Sequence, residues 1–101
     1  MTERKIPVRT REIALTEEWD GWKFTARMNP PLGVFFDITS GDLQRIVTGI
    51  ARVVLAWNFV DENGEKLPPP TFDIIAANVT SDLLTEMSNA WVEEMSKVPP
   101  A

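Results

Sequence analysis

Trp19-Asp20-Gly21-Trp22-Lys23-Phe24-Thr25-Ala26-Arg27-Met28 carries most of the information about architecture. Asp-Gly is a strong two-residue hairpin signal, because a type I′ turn needs positive φ at both central positions. With Asp20-Gly21 as that turn, Trp19 opposes Trp22, Leu15 opposes Ala26 and Ile13 opposes Met28. These residues and Phe24 then share one apolar face. The other face pairs Glu18 with Lys23 and Thr16 with Thr25, an ion pair and a hydroxyl pair that suit cross-strand positions. Glu17, opposite Phe24, is the one misfit. The pattern predicts an antiparallel hairpin, residues 11–19 and 22–28, whose apolar face must be covered by helices from later in the chain.

Downstream, Asn29-Pro30-Pro31-Leu32-Gly33 is a breaker, since proline lacks a donor and restricts the residue before it. Val34-Phe35-Phe36-Asp37-Ile38 is apolar and β-prone and predicts a short strand or extended segment beneath the next helix. Thr39-Ser40-Gly41-Asp42 has helix-start chemistry, with Ser40 or Asp42 able to cap. Leu43, Ile46, Val47, Ile50, Val54 and Trp57 follow at helical spacing, which predicts a helix that covers the hairpin. Gly49 within it costs about 1 kcal/mol relative to Ala and is suited to close approach by another element. Asn63-Gly64 is a second turn signal, predicting a small hairpin of about Trp57–Val60 with Glu65–Leu67. Pro68-Pro69-Pro70 is a stiff spacer. Thr71 caps a short helix from Phe72 to about Ala77, with Phe72, Ile75 and Ala76 turned inward. Thr80-Ser81-Asp82 starts a final helix in which Leu84, Met87, Trp91 and Met95 form a stripe widened by Leu83 and Ala90. The expected class is α+β: an N-terminal antiparallel β-hairpin packed against two to three α-helices, with a small second hairpin in the middle. Residues 1–10 are expected to be a flexible basic arm, and residues 11–98 a single domain.

Composition narrows the function classes. At 101 residues one domain is expected, and 44% hydrophobic with 25% charged residues is ordinary globular composition, which argues against global disorder. Four tryptophans and five phenylalanines supply large buried areas to a small core, and part of that aromatic surface suits an interface. The net charge of −5 disfavours nucleic acid as a partner, although Arg4-Lys5, Arg9 and Arg11 form a local basic cluster. Without Cys or His, thiol chemistry, disulfides, a His general base and the usual zinc ligands are excluded. No apolar run approaches the ~20 residues of a membrane span, and a cytoplasmic protein without membrane contact is expected.

Catalytic constellations are hard to assemble from what remains. Nucleophile-and-base pairs lack their base, and Gly33, Gly41, Gly49 and Gly64 make no phosphate-cradling loop. The adjacent acids Glu17-Glu18, Asp61-Glu62 and Glu93-Glu94 read as solvated surface. Asp61, Asn63 and Gly64 echo the start of a calcium loop, but the closing bidentate Glu is missing. No catalytic, cofactor or metal site is therefore expected. Trp19 and Trp22 flank an exposed turn, and Met87, Trp91 and Met95 form an adaptable stripe of the kind protein-binding grooves use, as well as cores. These five are the candidate partner contacts.

The order of features resembles the small tail assembly chaperones of long-tailed, siphovirus-like bacteriophages. It is carried by Trp19-Asp-Gly-Trp-Lys-Phe24 in the hairpin, by Trp57-Asn-Phe-Val-Asp-Glu-Asn-Gly-Glu-Lys-Leu-Pro68 after the apolar helix, and by Thr80-Ser-Asp-Leu-Leu84 at the last helix. It spans about residues 11–97. The resemblance implies a non-catalytic factor of the host cell cytoplasm that binds the tape measure protein. Such a factor keeps that protein soluble, assists tail tube proteins to polymerise around it, and is absent from the finished particle. A homo-oligomer is compatible with it. The competing classes are a structural minor tail or neck subunit kept in the virion, and a small regulatory binding module.

Overall fold

The structure is a computed structural model that describes residues 6–97. Three antiparallel strands, β1 (Thr10–Ala14), β2 (Lys23–Arg27) and β3 (Val54–Trp57), form one sheet in that order. Four helices, α1 (Leu32–Ile38), α2 (Leu43–Val53), α3 (Phe72–Asn78) and α4 (Ser81–Ser96), complete an α+β fold. Ile13, Leu15, Phe24, Ala26 and Met28 on one face of the sheet join Val34, Ile38, Ile50, Val53, Ile75, Leu84, Met87 and Trp91 from the helices in a single core.

The N-terminal hairpin is present, in a different register from the expected one. Ile13 opposes Phe24 rather than Met28, and Arg11 opposes Ala26. The displacement is an even number of residues, so each side chain keeps its expected face. The turn chemistry explains the shift. Asp20 has φ −56° and ψ 134°, Gly21 has φ +89°, and the Trp22 N–H donates to the Trp19 carbonyl at 3.0 Å. That is a type II turn, whose twist does not match a two-residue hairpin. The ladder therefore closes further back, where the Leu15 N–H meets the Trp22 carbonyl at 2.8 Å, and a 3-10 turn over Glu17–Trp19 fills the loop. Glu17 leaves the ladder, which removes the misfit. Lys23 approaches Glu12 at 3.7 Å instead of pairing with Glu18, and Thr25 faces Glu12 rather than Thr16.

Two elements correct the expected assignments. Val34–Ile38 is helical, not extended. Pro31 stands at the helix N-cap, with its carbonyl accepting from Val34 at 3.0 Å and Phe35 at 3.3 Å. Helical spacing then buries Val34 and Ile38 together, which outweighs the local β preference. The second correction concerns α2, which stops at Val53 instead of running to Trp57. Val54–Trp57 pairs with β2 as a third strand, Phe24 opposite Trp57 and Ala26 opposite Val54, and a bulge leaves Leu55 unpaired and exposed. Pairing both edges of β2 satisfies its backbone groups, and Val-Leu-Ala-Trp suits a strand.

The caps behave as their chemistry requires. Asp42 Oδ1 accepts from the Gln44 and Arg45 N–H groups at 3.0 and 3.2 Å, and Arg45 pairs back with Asp37 of α1 at 3.0 Å. Gly49 is where α1 meets α2. A Cβ there would stand 2.6 Å from Ile38 Cγ1 and 3.2 Å from the Val34 carbonyl oxygen. The second hairpin is short, a Val60–Lys66 bridge closed by Leu67 N–H to Phe59 C=O at 3.0 Å, while Trp57 belongs to β3. In α3 only Ile75 is fully buried. Phe72 and Ala76, expected inward, are exposed.

Of the expected basic arm, residues 1–5 lie outside the described residues. Pro7 and Arg9 are tied to the sheet end. The Asn29 side-chain amide donates to the Pro7 carbonyl and accepts from the Arg9 N–H at 2.9 Å, and the Met28 N–H meets the Arg9 carbonyl at 2.7 Å.

Candidate functional site

The hairpin loop that carries Trp19 and Trp22 leans against the segment that follows β3, and aromatic rings join the two. Trp19 and Trp22 meet edge to face with centroids 5.6 Å apart, Trp22 lies 4.9 Å from Phe59, and Phe59 stacks on Trp57 at 4.7 Å. These separations fall in the range where aromatic pairs attract beyond their buried area. Asn58 fixes the arrangement. Its Oδ1 accepts from the Lys23 N–H at 2.8 Å, and its Nδ2 donates to the Gly21 carbonyl at 2.9 Å. One side chain thus staples the tryptophan loop to the second hairpin. Trp57 is held from behind, its Nε1 donating to the Pro68 carbonyl at 2.9 Å.

Between these rings and the α3–α4 junction runs an open groove of about 590 Å³. Trp19, Trp22, Phe59 and Leu67 form one wall, and Val79 and Leu83 the other. Asp61, Glu62 and Asn63 also line it. Asp61 also shapes the turn, its Oδ1 accepting from the Asn63 and Glu65 N–H groups at 2.8 and 3.0 Å. Trp19 Nε1 is shielded from solvent and has no hydrogen-bond partner among the described residues. An unpaired buried donor costs roughly 1–3 kcal/mol, and a native fold normally has a reason for one. Two residues away, Glu17 holds φ +60°, a backbone region that side-chain-bearing residues rarely occupy.

At the far side of the groove, Thr80 starts α4. Its hydroxyl donates to the Asp82 carboxylate, which holds that carboxyl below its usual value of 3.8, against a smaller opposing effect of desolvation. A depressed carboxyl supports the helix start above that usual value and loses the contribution as pH falls through its own lower one. Among the described residues no group of three or more His, Cys, Asp or Glu side chains is placed to hold a metal ion.

Of the five residues marked by sequence, the structure brings only Trp19 and Trp22 to this groove. Met87 and Trp91 are both 0% exposed, so neither touches a partner that docks on the folded chain. Trp91 is instead the tie between layers, its Nε1 donating to the Arg27 carbonyl of β2 at 2.9 Å and its ring 6.1 Å from Phe35 of α1. Deleting such a ring costs about 3–5 kcal/mol, so Trp91→Ala reports on stability and not on docking. Met95 is partly buried against the core and does not line the groove. Asn58, Phe59, Leu67 and Val79 were not singled out from sequence as site residues. Phe59 alternates with Trp57 beside a turn, which was the available signal; Asn58 and Val79 had none. Comparison with known protein families, curated proteins and solved structures finds no match.

Proposed function

We propose that the chain is a non-catalytic protein-binding factor working as a phage tail assembly chaperone, and that the aromatic groove is where it holds the tape measure protein. The observation that carries this reading is the groove itself: Trp19, Trp22, Leu67 and Val79 stay partly exposed along it, over buried Phe59 and Leu83. Tryptophan in a part-desolvated pocket is the residue type that dominates protein–protein binding energy. The acidic net charge of −5 keeps a chaperone loaded with apolar client in solution. No helix among the described residues is long and apolar enough to cross a membrane. Tape measure protein and tail tube protein are the proposed partners, in the host cytoplasm.

Co-expression with the tape measure protein from the same genome tests this. The intact chaperone carries its client into the soluble fraction and co-purifies with it. Trp22→Ala weakens that association at least tenfold, which is about 1.4 kcal/mol. Circular dichroism confirms that the variant is folded, and Val60→Glu at the exposed groove lip gives a second reading. Undiminished co-purification by both variants would refute the site. Stoichiometric recovery of the chain from finished particles would favour a structural tail subunit instead.

A further inference from the structure

Among the described residues β1 and β3 are the two edges of the sheet, and they are guarded differently. β3 is four residues long and its pairing carries a bulge, both of which blunt an edge. β1 pairs with β2 without interruption from Arg9 to Leu15. The Arg9 carbonyl and the Leu15 N–H bond to β2, so the odd-numbered residues use their backbone groups there. The N–H and C=O groups of Thr10, Glu12 and Ala14 therefore point away from the sheet, and all three residues are exposed. α4 runs beside this edge. It leaves an open groove of about 220 Å³ between Ala14 and Thr16 on one side and Glu86, Asn89 and Glu93 on the other. Acids outnumber cations along it. Glu93 and Glu94 share Lys97 at 3.7 Å, Glu94 also takes Arg11 at 3.4 Å, and Glu86 has no cation within ion-pair distance among the described residues. We propose that this edge accepts a further strand: an extended, lysine- or arginine-bearing segment of another protein adds to β1 and lays its cations against α4.

In such a contact main-chain hydrogen bonds give affinity and alternate side chains give specificity. Successive residues of an added strand point to opposite faces, so every second one lies on the α4 side. Glu86 and Glu93 stand two turns apart on α4, about 10.5 Å along its axis. Guest cations two or four residues apart, about 7 Å or about 13 Å, bracket that distance, and their flexible stems make up the difference. Ala90, one turn after Glu86 in the same lining, adds no bulk between them. On the opposite face the guest meets Thr10, Ala14 and the Glu12–Lys23 pair, which carry no net charge. A second copy of this chain is a poor occupant. Joining β1 to its own duplicate in one continuous sheet brings both α4 helices to the same face, and sets Glu86 and Glu93 of each against those of the other. A basic segment without such a helix removes that repulsion. The groove beside β1 shares no lining residue with the aromatic groove, so a guest here and a client there bind independently.

A synthetic peptide that alternates lysine with valine, titrated into the isotope-labelled full chain at ~50 mM salt and followed by NMR, tests the contact. The expected result is a saturable shift of the Thr10, Glu12 and Ala14 amide signals with slowed hydrogen exchange at the same positions, while the signals of the aromatic groove stay in place. Affinity falls at least tenfold at ~500 mM salt. It falls at least tenfold again, at low salt, in the double variant Glu86→Gln with Glu93→Gln, whose exposed side chains can change without unfolding the chain, as circular dichroism checks. The same peptide N-methylated at every residue keeps its charge and loses its N–H donors, and it fails to bind the unaltered chain. A peptide that leaves these amides untouched, equal binding by the N-methylated peptide, or undiminished binding by the double variant would each overturn the proposal. So would a chain that protects the same amides by itself as its concentration and mass rise, because the edge would then belong to a second copy.

Discussion

Glu17 and Trp19 share one short turn, and each bears a local energetic cost that the fold does not relieve. Glu17 holds φ +60°, which is disfavoured by roughly 1–2 kcal/mol for a residue with a Cβ, and Trp19 hides an indole N–H without an acceptor among the described residues. Strain of this kind clusters where a surface is shaped for something other than stability. Glycine accepts positive φ freely, so Glu17→Gly is expected to stabilise the free chain by about 1 kcal/mol. For a domain of this size that raises Tm by roughly 4–8 °C, measurable by calorimetry. An unchanged or lower Tm would show that Glu17 is not strained. Trp91 is the contrasting case. Its N–H is satisfied by Arg27 and its ring is sealed, so it serves the core.

Helix contacts give a second expectation. Alanine is the better helix former at Gly49 by about 1 kcal/mol, yet its Cβ would crowd Ile38 and the Val34 carbonyl. Gly49→Ala should therefore destabilise by about 1–3 kcal/mol, read as a shift of the urea midpoint at constant m-value. A stabilised variant would mean that α1 can retreat from α2. The elements legible in the sequence are those whose signals are local. Asp42, Thr71 and Thr80 cap the helices they were expected to cap, and the stripe through Leu84, Met87 and Trp91 marks the buried side of α4. The elements that were misread depend on distant partners. Val54–Trp57 continues the helical period of α2 and becomes a strand only because β2 has an open edge. Val34–Ile38 is β-prone and becomes a helix because Val34 and Ile38 must both reach the core. The register moved because Asp-Gly fits a type II turn as well as the type I′ turn of a tight hairpin.

The site emerges only when the chain is assembled. Trp19 and Trp22 were visible beforehand because indoles at a loop tip are rarely sealed. The opposite wall was not, because it needs Asn58 to reach two backbone groups near Gly21 and needs the α3–α4 junction to lie across from Phe59. Met87 and Trp91 drew attention for a side-chain chemistry that cores and interfaces share, and burial separates the two uses. What results is an acidic domain with an aromatic cleft at the end of its hairpin. Amide hydrogen exchange on the co-purified complex, compared with the free chain, tests that assignment most directly. The account predicts slowed exchange in residues 16–22, 59–67 and 77–83, with β1 and α2 unchanged. Slowed exchange confined to α1 and α2, with the tryptophan loop as open as in the free chain, would contradict it.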